Sequence, residues 1–526
     1  MSAHRDGLHT LGRWTSDRAL VTPGRIAIDD RGVRLSYLDL EGRAAALATS
    51  LLRSGYRPGD RIATLAGNGA DQVVLFFACA KAGFVLAPLS WRLAAAELAD
   101  QLATADPALL VIEDEFEVLA RAALELVLKR PAVSAMGPGG VEGMVPAPAA
   151  RSLEQEVPLA RRGVQDDDPL LMLFTSGTEG RAKAVVLTHA NCFWNNMALS
   201  RTLDLTSHDT VLAVLPQYHA GGWNIQPLLA WWTGATVVLE RTFDAGRVLQ
   251  LIADRRVTTM MGVPTHYRML ATDRAFKTTD LSTLRLAVVG GAPMPSALLR
   301  CWHARGVSLV QGYGLTEAGP NVLCLVGEDA MSKGGYAGKP YPHVEVRIVD
   351  PASGLPLDGA GRGELMVTGP SVFAGYFRDP EATARVLVGG WLRTGDMVER
   401  DAEGYIKVVD RLKDIYISGG ENISPTEVEQ VLEAHPAVAD VAVLGVPDPR
   451  WGEVGEAYVV LRPGAHADAE DLAGHCAPRL ARFKIPARFH FVPELPRTGL
   501  EKISRTRLRA LSTKAPETYT QTGNTP

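Results

Sequence analysis

The chain has 526 residues, 46% of them hydrophobic and 21% charged, with a formal net charge of −5. That length is too great for one hydrophobic core and predicts roughly two to four domains, while the mild acidity excludes the basic footprint of a nucleic-acid binder. Five scattered cysteines (Cys79, Cys192, Cys301, Cys324 and Cys476) with no CxxC pair argue against a disulfide framework or zinc site and for a reducing compartment.

The first residues carry Arg5, Asp6 and Arg13 and no apolar signal-peptide core, so a cytoplasmic protein is expected. Residues 61–66 read as a strand, 70–81 as a helix and 84–87 as a strand stopped by Pro88. The apolar stretch 73–89 is interrupted by Lys81 and Gly83, too short and broken to span a bilayer. A Pro/Gly/Ala-rich run over 131–150 reads as a surface excursion.

Apolar runs over 170–174 and 184–187 then flank Thr175-Ser176-Gly177-Thr178-Glu179-Gly180-Arg181-Ala182-Lys183. Glycines let backbone N–H groups approach an anion, hydroxyls donate to its oxygens and a lysine neutralises its charge, so this is a phosphate-wrapping composition. It is not a Walker A loop, because Lys183 leads into a strand-like run rather than a helix. Read by itself, it is also compatible with a polar hairpin loop.

Further along, strands over 210–215, 235–240, 257–261, 284–289 and 308–311 alternate with helices over 223–232, 245–254 and 296–303. Such alternation predicts an α/β fold of mostly parallel, helix-covered sheets. Ligands gather beyond the carboxyl ends of such strands. Three polar or glycine-rich clusters fall there: Pro216-Gln217-Tyr218-His219, Gly290-Gly291-Ala292-Pro293 and Gly312-Tyr313-Gly314-Leu315-Thr316-Glu317. They predict one shared site.

Beyond about residue 335 short alternating strands (344–349, 363–367) predict a β-rich subdomain. A sharper break falls at Asp410-Arg411-Leu412-Lys413-Asp414. After it, Ser424 as cap, Pro425 at the first helical position and Glu427 closing a capping box start a helix with Val428, Val431 and Leu432 on its apolar face. Strands over 438–446, 458–461 and 488–492 and a helix over 469–481 complete a small α+β domain. The expected organisation is a large domain over 1–410, a small C-terminal domain over 411–512 and a disordered tail over 513–526.

From residue 36 to 505 the assembled pieces resemble the adenylate-forming superfamily: acyl-CoA synthetases, aryl-CoA ligases, firefly luciferase and peptide-synthetase adenylation domains. Besides the phosphate loop and Gln311 to Glu317, the matching motifs are Trp391-Leu392-Arg393-Thr394-Gly395-Asp396 with Asp410-Arg411, Ser418-Gly419-Gly420-Glu421-Asn422-Ile423, and Pro496-Arg497-Thr498 with Lys502. The resemblance implies an ATP-dependent acid–thiol ligase that makes an acyl-adenylate and pyrophosphate, then acyl-CoA and AMP. It implies that Thr175, Ser176, Thr178 and Lys183, with Gly177, Glu179 and Gly180, hold the pyrophosphate end of ATP. Mg²⁺ would lie between Thr178 and Glu317. Tyr313 and the Gly291–Ala292 backbone would sandwich adenine, with Pro293, Gly312, Gly314, Leu315 and Thr316 completing the nucleotide site. Asp396 would accept the ribose hydroxyls, Arg411 would support them, and Lys502 would contact the attacking carboxylate and α-phosphate. The small domain over 411–512 is the implied mobile lid and Lys413 its hinge, about which Ser418, Gly419 and Gly420 turn inward to admit the pantetheine arm of CoA.

The implied acyl pocket spans 219–224, 261–264, 289–291 and 312–323, with His219 as gate and Tyr218, Trp223, Asn224, Val289 and Gly290 among its lining. These segments contain no Lys or Arg, which argues against a dicarboxylate, and no Asp where amino-acid-activating relatives hold an ammonium group. An apolar monocarboxylic acid, medium-chain fatty or aromatic, is expected. Trp223 has two readings, a cap on the pocket or helix core. Ala182, Ala184 and Glu501 depart from the family pattern, and Glu501 puts a carboxylate beside Lys502. Alternatives are an amide synthetase, a ligase loading a carrier protein, and, from another class, a nucleotide-binding homologue without turnover. The oligomeric state is expected to be monomer or homodimer.

Overall fold

The computed structural model describes residues 6–136, 145–146, 163–175, 182–292, 294–326, 329–330, 332–418, 421–497 and 503–512. The chain divides into two compact units, Met1–Val346 with Val367–Arg393 and Arg347–Met366 with Thr394–Pro526.

In the first unit, short runs of Val, Leu, Ile and Ala are buried on both faces and so form strands interior to helix-covered sheets. One nine-stranded sheet has the order Lys339–Pro340, Leu323–Leu325, Leu309–Tyr313, Leu286–Val289, Thr259–Gly262, Thr210–Ala213, Thr236–Leu239, Ile26–Asp30, Val33–Ser36. Its interior pairs are parallel and its edges antiparallel. An eight-stranded sheet runs Gly375–Tyr376, Lys183–Thr188, Pro169–Thr175, Val85–Leu89, Arg61–Leu65, Leu109–Glu113, Ala132–Met136, Val145–Pro146. The fold is therefore the mixed α/β architecture expected.

Helices return the chain between parallel strands and bury their apolar stripes on the sheets. Ala70–Ala82 ends on Gly83, whose φ of 72° is the left-handed cap that glycine adopts without strain. Tyr37–Arg53 starts on a Ser36/Asp39 capping box. Under the nine-stranded sheet, Leu249, Ile252, Tyr267, Leu270 and Trp302 are fully buried in one cluster. Each contributes about 1.5–3 kcal/mol of burial, and the Trp302 indole N–H is satisfied by the Tyr267 carbonyl at 3.1 Å.

Three elements differ from expectation, each through a proline. The helix over 223–232 is two short pieces, Gly221–Asn224 and Pro227–Thr233, because Pro227 lacks the N–H that would continue the first and instead starts the second. The helix over 469–481 stops at Cys476: Ala477 still has helical angles and donates to the Ala473 carbonyl, but Pro478 has no N–H with which to continue the ladder. Conversely, Pro88 does not end its strand: Val85–Leu89 runs through it in register with Arg61–Leu65.

In the second unit, Ile406–Arg411 pairs antiparallel with residues 396–400. Another sheet follows, of Glu421–Ile423, Tyr416–Ser418, Gly452–Leu461 and Val438–Asp448, with Arg488–Phe491 parallel to Gly452–Leu461. Helices Pro425–Glu433 and Ala469–Cys476 pack on it through Val428, Leu432 and Leu472. Among the described residues no helix is long and apolar enough to cross a membrane.

Candidate active site

Four adjacent strands of the nine-stranded sheet, Thr210–Ala213, Thr259–Gly262, Leu286–Val289 and Leu309–Tyr313, run parallel in register, with Ala213 beside Met261, Gly262 beside Val289 and Val289 beside Gln311. Their carboxyl ends therefore share one rim of the first unit. The residues that follow each strand there are Tyr218 and His219, Val263, Gly290 to Ala292, and Gly314 to Glu317. This is the crevice side of an open parallel sheet.

Glycine is required at particular points of that rim. A Cβ on Gly222 would lie 2.3 Å from the Pro216 carbonyl oxygen, and one on Gly314 1.5 Å from that of Pro320. Only glycine lets those turns close. Gly291 holds φ at +84° and is exposed with Ala292, leaving bare backbone at the strand end. Gly290 is buried, and its missing side chain lets Met261 and the Gly312 carbonyl approach.

The phosphate-loop candidate is closed at its base by the antiparallel pair Thr175 and Lys183. Ser176, Gly177, Thr178, Glu179 and Gly180 lie outside the described residues, as do Pro293, Gly419, Gly420, Glu501 and Lys502. The Lys183 ammonium stands 4.9 Å from the centroid of the Tyr376 ring. The Tyr376 hydroxyl donates to Glu317 Oε1 at 2.9 Å, and the Phe373 N–H donates to the Glu317 carbonyl at 2.8 Å. Lys183, Tyr376 and Glu317 thus form one chain of contacts. Sequence reasoning found the two charged members and missed Tyr376, since nothing in a Gly-Tyr pair so far along the chain announces its partners.

On the acyl side, Tyr218 is buried, its ring 4.6 Å from that of half-buried His219. Trp223 is fully buried, stacked on Phe76 at 4.7 Å, with its indole N–H on the Gln217 carbonyl at 2.5 Å. It is core, so the cap reading is corrected. Asn224 is also interior: its carbonyl accepts from Asn195 and Asn321 and its side-chain oxygen from Asn196. That polar knot fixes the turn behind the site rather than lining it. Val289 belongs to the core under the sheet. A cavity of about 10 Å³ lies among Val211 to Leu215, Gly221, Gly222, Gln226, Pro227 and Met261. Gln226, not foreseen, donates through Nε2 to Thr259 Oγ1 at 2.6 Å.

In the second unit the two residues read as a ribose pair face each other in register, Asp396 opposite Arg411. Arg411 Nε donates to Asp396 Oδ1 at 2.7 Å, with the carboxylate buried and the guanidinium half exposed. Asp396 is held from below, since its N–H donates to Thr394 Oγ1, whose hydroxyl donates to the Leu365 carbonyl. Partial desolvation holds the Lys413 ammonium below the ordinary lysine range; Arg411 and Arg509 act the same way, and Asp414 opposes them. Asp410 accepts from the Ser424 hydroxyl at 2.6 Å and the Thr426 N–H at 3.0 Å. Arg505 donates to both oxygens of Glu429 at 2.7 and 2.9 Å, and Arg509 reaches Asp414 at 3.4 Å. Burial nevertheless outweighs Arg505 and pushes the Glu429 carboxyl up to about 7. Ser418 is buried beside Glu421, whereas Ile417 and Trp451 are exposed.

Two family models match the chain: AMP-binding enzyme over residues 15–377 and AMP-binding enzyme C-terminal domain over 427–502. A feruloyl-CoA synthase from Amycolatopsis sp is 41% identical over 500 residues, covering 95% of this chain and 98% of that protein. An indoleacetate–CoA ligase from Aromatoleum aromaticum is 37% identical over 509 residues, covering 95% and 98%. Among solved structures, the amide bond synthetase McbA from Marinactinospora thermotolerans superposes with a TM-score of 0.86 at 32% identity, covering 96% of this chain and 99% of that one.

Proposed function

The chain belongs to the AMP-binding enzyme family, and on that premise we propose that it is an acid–thiol ligase of the cytoplasm. It would join an apolar monocarboxylic acid to ATP as the acyl-adenylate, releasing pyrophosphate, and then pass the acyl group to CoA, releasing AMP. The observation that carries this reading is the common rim of four parallel strands, whose carboxyl ends bring the Tyr218–His219 turn, the exposed Gly291–Ala292 backbone, Tyr313 and Glu317 to one side. An adenylating enzyme needs those surfaces adjacent, because two anions must be aligned before they react.

In this reading Lys183 neutralises the leaving phosphates and Thr175 anchors the base of the loop, with Ser176, Gly177, Thr178, Glu179 and Gly180 as its other contacts. Tyr313 and the Gly291–Ala292 backbone hold the adenine ring. Asp396, already oriented by Thr394 and Arg411, accepts the ribose hydroxyls. Glu317 suits a hard divalent cation: it is a half-buried carboxylate on which the described residues put a single phenol donor. Mg²⁺ bound there and at Thr178 would supply charge neutralisation. Lys502 is the proposed cation at the reacting carboxylate and α-phosphate. For the thiol step we propose a boundary after residue 410, a pivot at Lys413, and Ser418, Gly419 and Gly420 as the face admitting pantetheine.

An aromatic acid is favoured over a fatty one by the likeness to ligases named for feruloyl and indoleacetate substrates. The void of about 10 Å³ beside Met261 is too small for an acid, so an acid bound on this side would have to displace a flexible side chain, and unbranched Met261 is suited to that. An amine acceptor is the second reading, favoured by the likeness to an amide bond synthetase. The test is mass spectrometry of purified protein with ATP, Mg²⁺, CoA and a panel of aromatic and fatty acids, beside a CoA-free tube containing simple amines. Acyl-CoA formed from aromatic acids and abolished by Lys502→Ala is the expected result. Amides without thioesters would move the acceptor to an amine, and no acid-dependent AMP in either tube would sink the ligase reading.

A further inference from the structure

Tyr376 carries no role in the chemistry above, yet it is the only described residue that touches both charged groups on the phosphate side of the rim. Its backbone is fixed with unusual redundancy. Gly375–Tyr376 pairs antiparallel with the strand that begins at Lys183, Tyr376 opposite Val185. The flanking N–H groups of Ala374 and Phe377 donate to Val186 and Ala184 at 3.1 and 2.8 Å, and the Tyr376 N–H donates to Thr383 Oγ1 at 2.9 Å. The Phe373 ring meets the Tyr376 ring edge-on, 5.0 Å between centroids, while the Phe373 N–H holds the Glu317 carbonyl. One short segment therefore grips the Lys183 strand and the Glu317 turn together.

We propose that Tyr376 is a positioning residue that sets Lys183 and Glu317 as a single preorganised unit for nucleotide and its metal. The proposal rests on the adenylating reading. Its logic lies in what a phenol does that a charged side chain does not. The ring face attracts the ammonium through its quadrupole without transferring or cancelling charge, so Lys183 keeps its full positive charge for phosphate. A carboxylate at the same point would form an ion pair and spend that charge. At the other end the hydroxyl donates one hydrogen bond to Oε1 of Glu317, fixing the carboxylate plane while leaving Oε2 for a cation. A neutral side chain thus orients a cation and an anion at once. The long lysine stem and the glutamate lose their rotamer freedom on folding rather than on binding, which is where preorganisation gains affinity.

Two variants of the full chain separate the two ends of the phenol. Tyr376→Phe keeps the ring and removes the donor to Glu317. It is expected to raise the Mg²⁺ concentration for half-maximal pyrophosphate release by about tenfold or more, the loss of one hydrogen bond to a charged group. ATP binding in EDTA, read by calorimetry, stays within about twofold of wild type by the same reasoning, since the lysine contact persists. Tyr376→Leu removes both ends and is expected to weaken metal-free ATP binding as well, by roughly three- to tenfold. A merely structural tyrosine would instead lower the melting temperature of both variants and leave the Mg²⁺ requirement where it was. Phe behaving as wild type in its Mg²⁺ dependence overturns the proposal even if Leu fails to fold. Wild-type protein that binds no ATP would overturn the adenylating reading itself, and this proposal with it. Wild-type adenylation with an unaltered Phe variant would overturn only the role of Tyr376.

Discussion

Replacing Trp223 with phenylalanine tests whether this residue holds the acyl side of the rim up or closes it off. The side chain is fully buried, its ring lies 4.7 Å from Phe76 at an interplanar angle of 19°, and its indole N–H is on the carbonyl of Gln217, a residue that is itself buried. Phenylalanine keeps most of the stack but strands that carbonyl, which costs about 1–3 kcal/mol. The smaller ring also leaves a gap in packing worth about 1–2 kcal/mol more. A destabilisation of about 3 kcal/mol is therefore expected, read by urea unfolding followed by far-ultraviolet circular dichroism. The ratio of kcat/KM between short and long acids should hold within about twofold, because a core residue shifts the whole turn that carries Tyr218 and His219 rather than one wall of the chamber. Unchanged stability with an altered size preference would refute the reasoning and restore Trp223 as a cap.

Two further outcomes follow from buried charge. Burial lowers the His189 imidazole to about 4, and its Nδ1 accepts the Leu11 N–H at 3.1 Å, so the folded chain holds it neutral. The unfolded chain binds this proton from about pH 6.5 downward, so the contribution is complete above that value and is lost as pH falls towards 4. By pH 5 the loss is about 2 kcal/mol; urea midpoints at pH 7.5 and 5 should show a steeper decline for wild type than for His189→Gln, and equal declines would refute it. Arg505→Met leaves Glu429 buried beside the Val443 N–H without its guanidinium, an expected cost of about 3–5 kcal/mol. Adding Glu429→Leu should recover most of it in a double-mutant cycle, and strict additivity of the two losses would sink the pairing.

The rim was legible because its physics is local. Parallel strands announce themselves as short apolar runs, and the glycines and hydroxyls that cannot belong to a strand mark where each one ends. Gly290 to Ala292 and Gly312 to Glu317 were found on that ground alone. The Asp396–Arg411 pair needed the family resemblance, since a carboxylate and a guanidinium in separate strands show no local relation until the antiparallel register sets them opposite. Tyr376 was illegible for the same reason: its partners come from a strand and a turn far away in sequence. Trp223 was left with two readings, cap or core, by its position in a pocket-bearing segment, and its full burial favours the core. The nearby Pro227 already signalled that the helix breaks there, turning the indole inward onto Gln217. Pro478 carried the same kind of warning for the helix that ends at Cys476.

A pivot at Lys413 would have a definite energetic character. Asp410, on one side of it, is held by the Ser424 hydroxyl and the Thr426 N–H at the start of helix Pro425–Glu433. Asp414, on the other side, is buried and reached by Arg509 and Arg505, and Arg505 is in turn clamped to Glu429 on that same helix. Both flanks of the pivot are thus tied to one body. Rotation about Lys413 leaves the Asp414 attachments intact, because they move with the helix, but it must break the two hydrogen bonds to Asp410. At about 1.5–3 kcal/mol for a hydrogen bond to a charged group, the arrangement described here is held by several kcal/mol before any nucleotide contact is counted. A pivot there would be a latch rather than a free joint. A product adenylate shifts such an equilibrium only through contacts that differ between the two arrangements, and Arg411, between the latch and Asp396, is the residue through which a bound ribose would reach it.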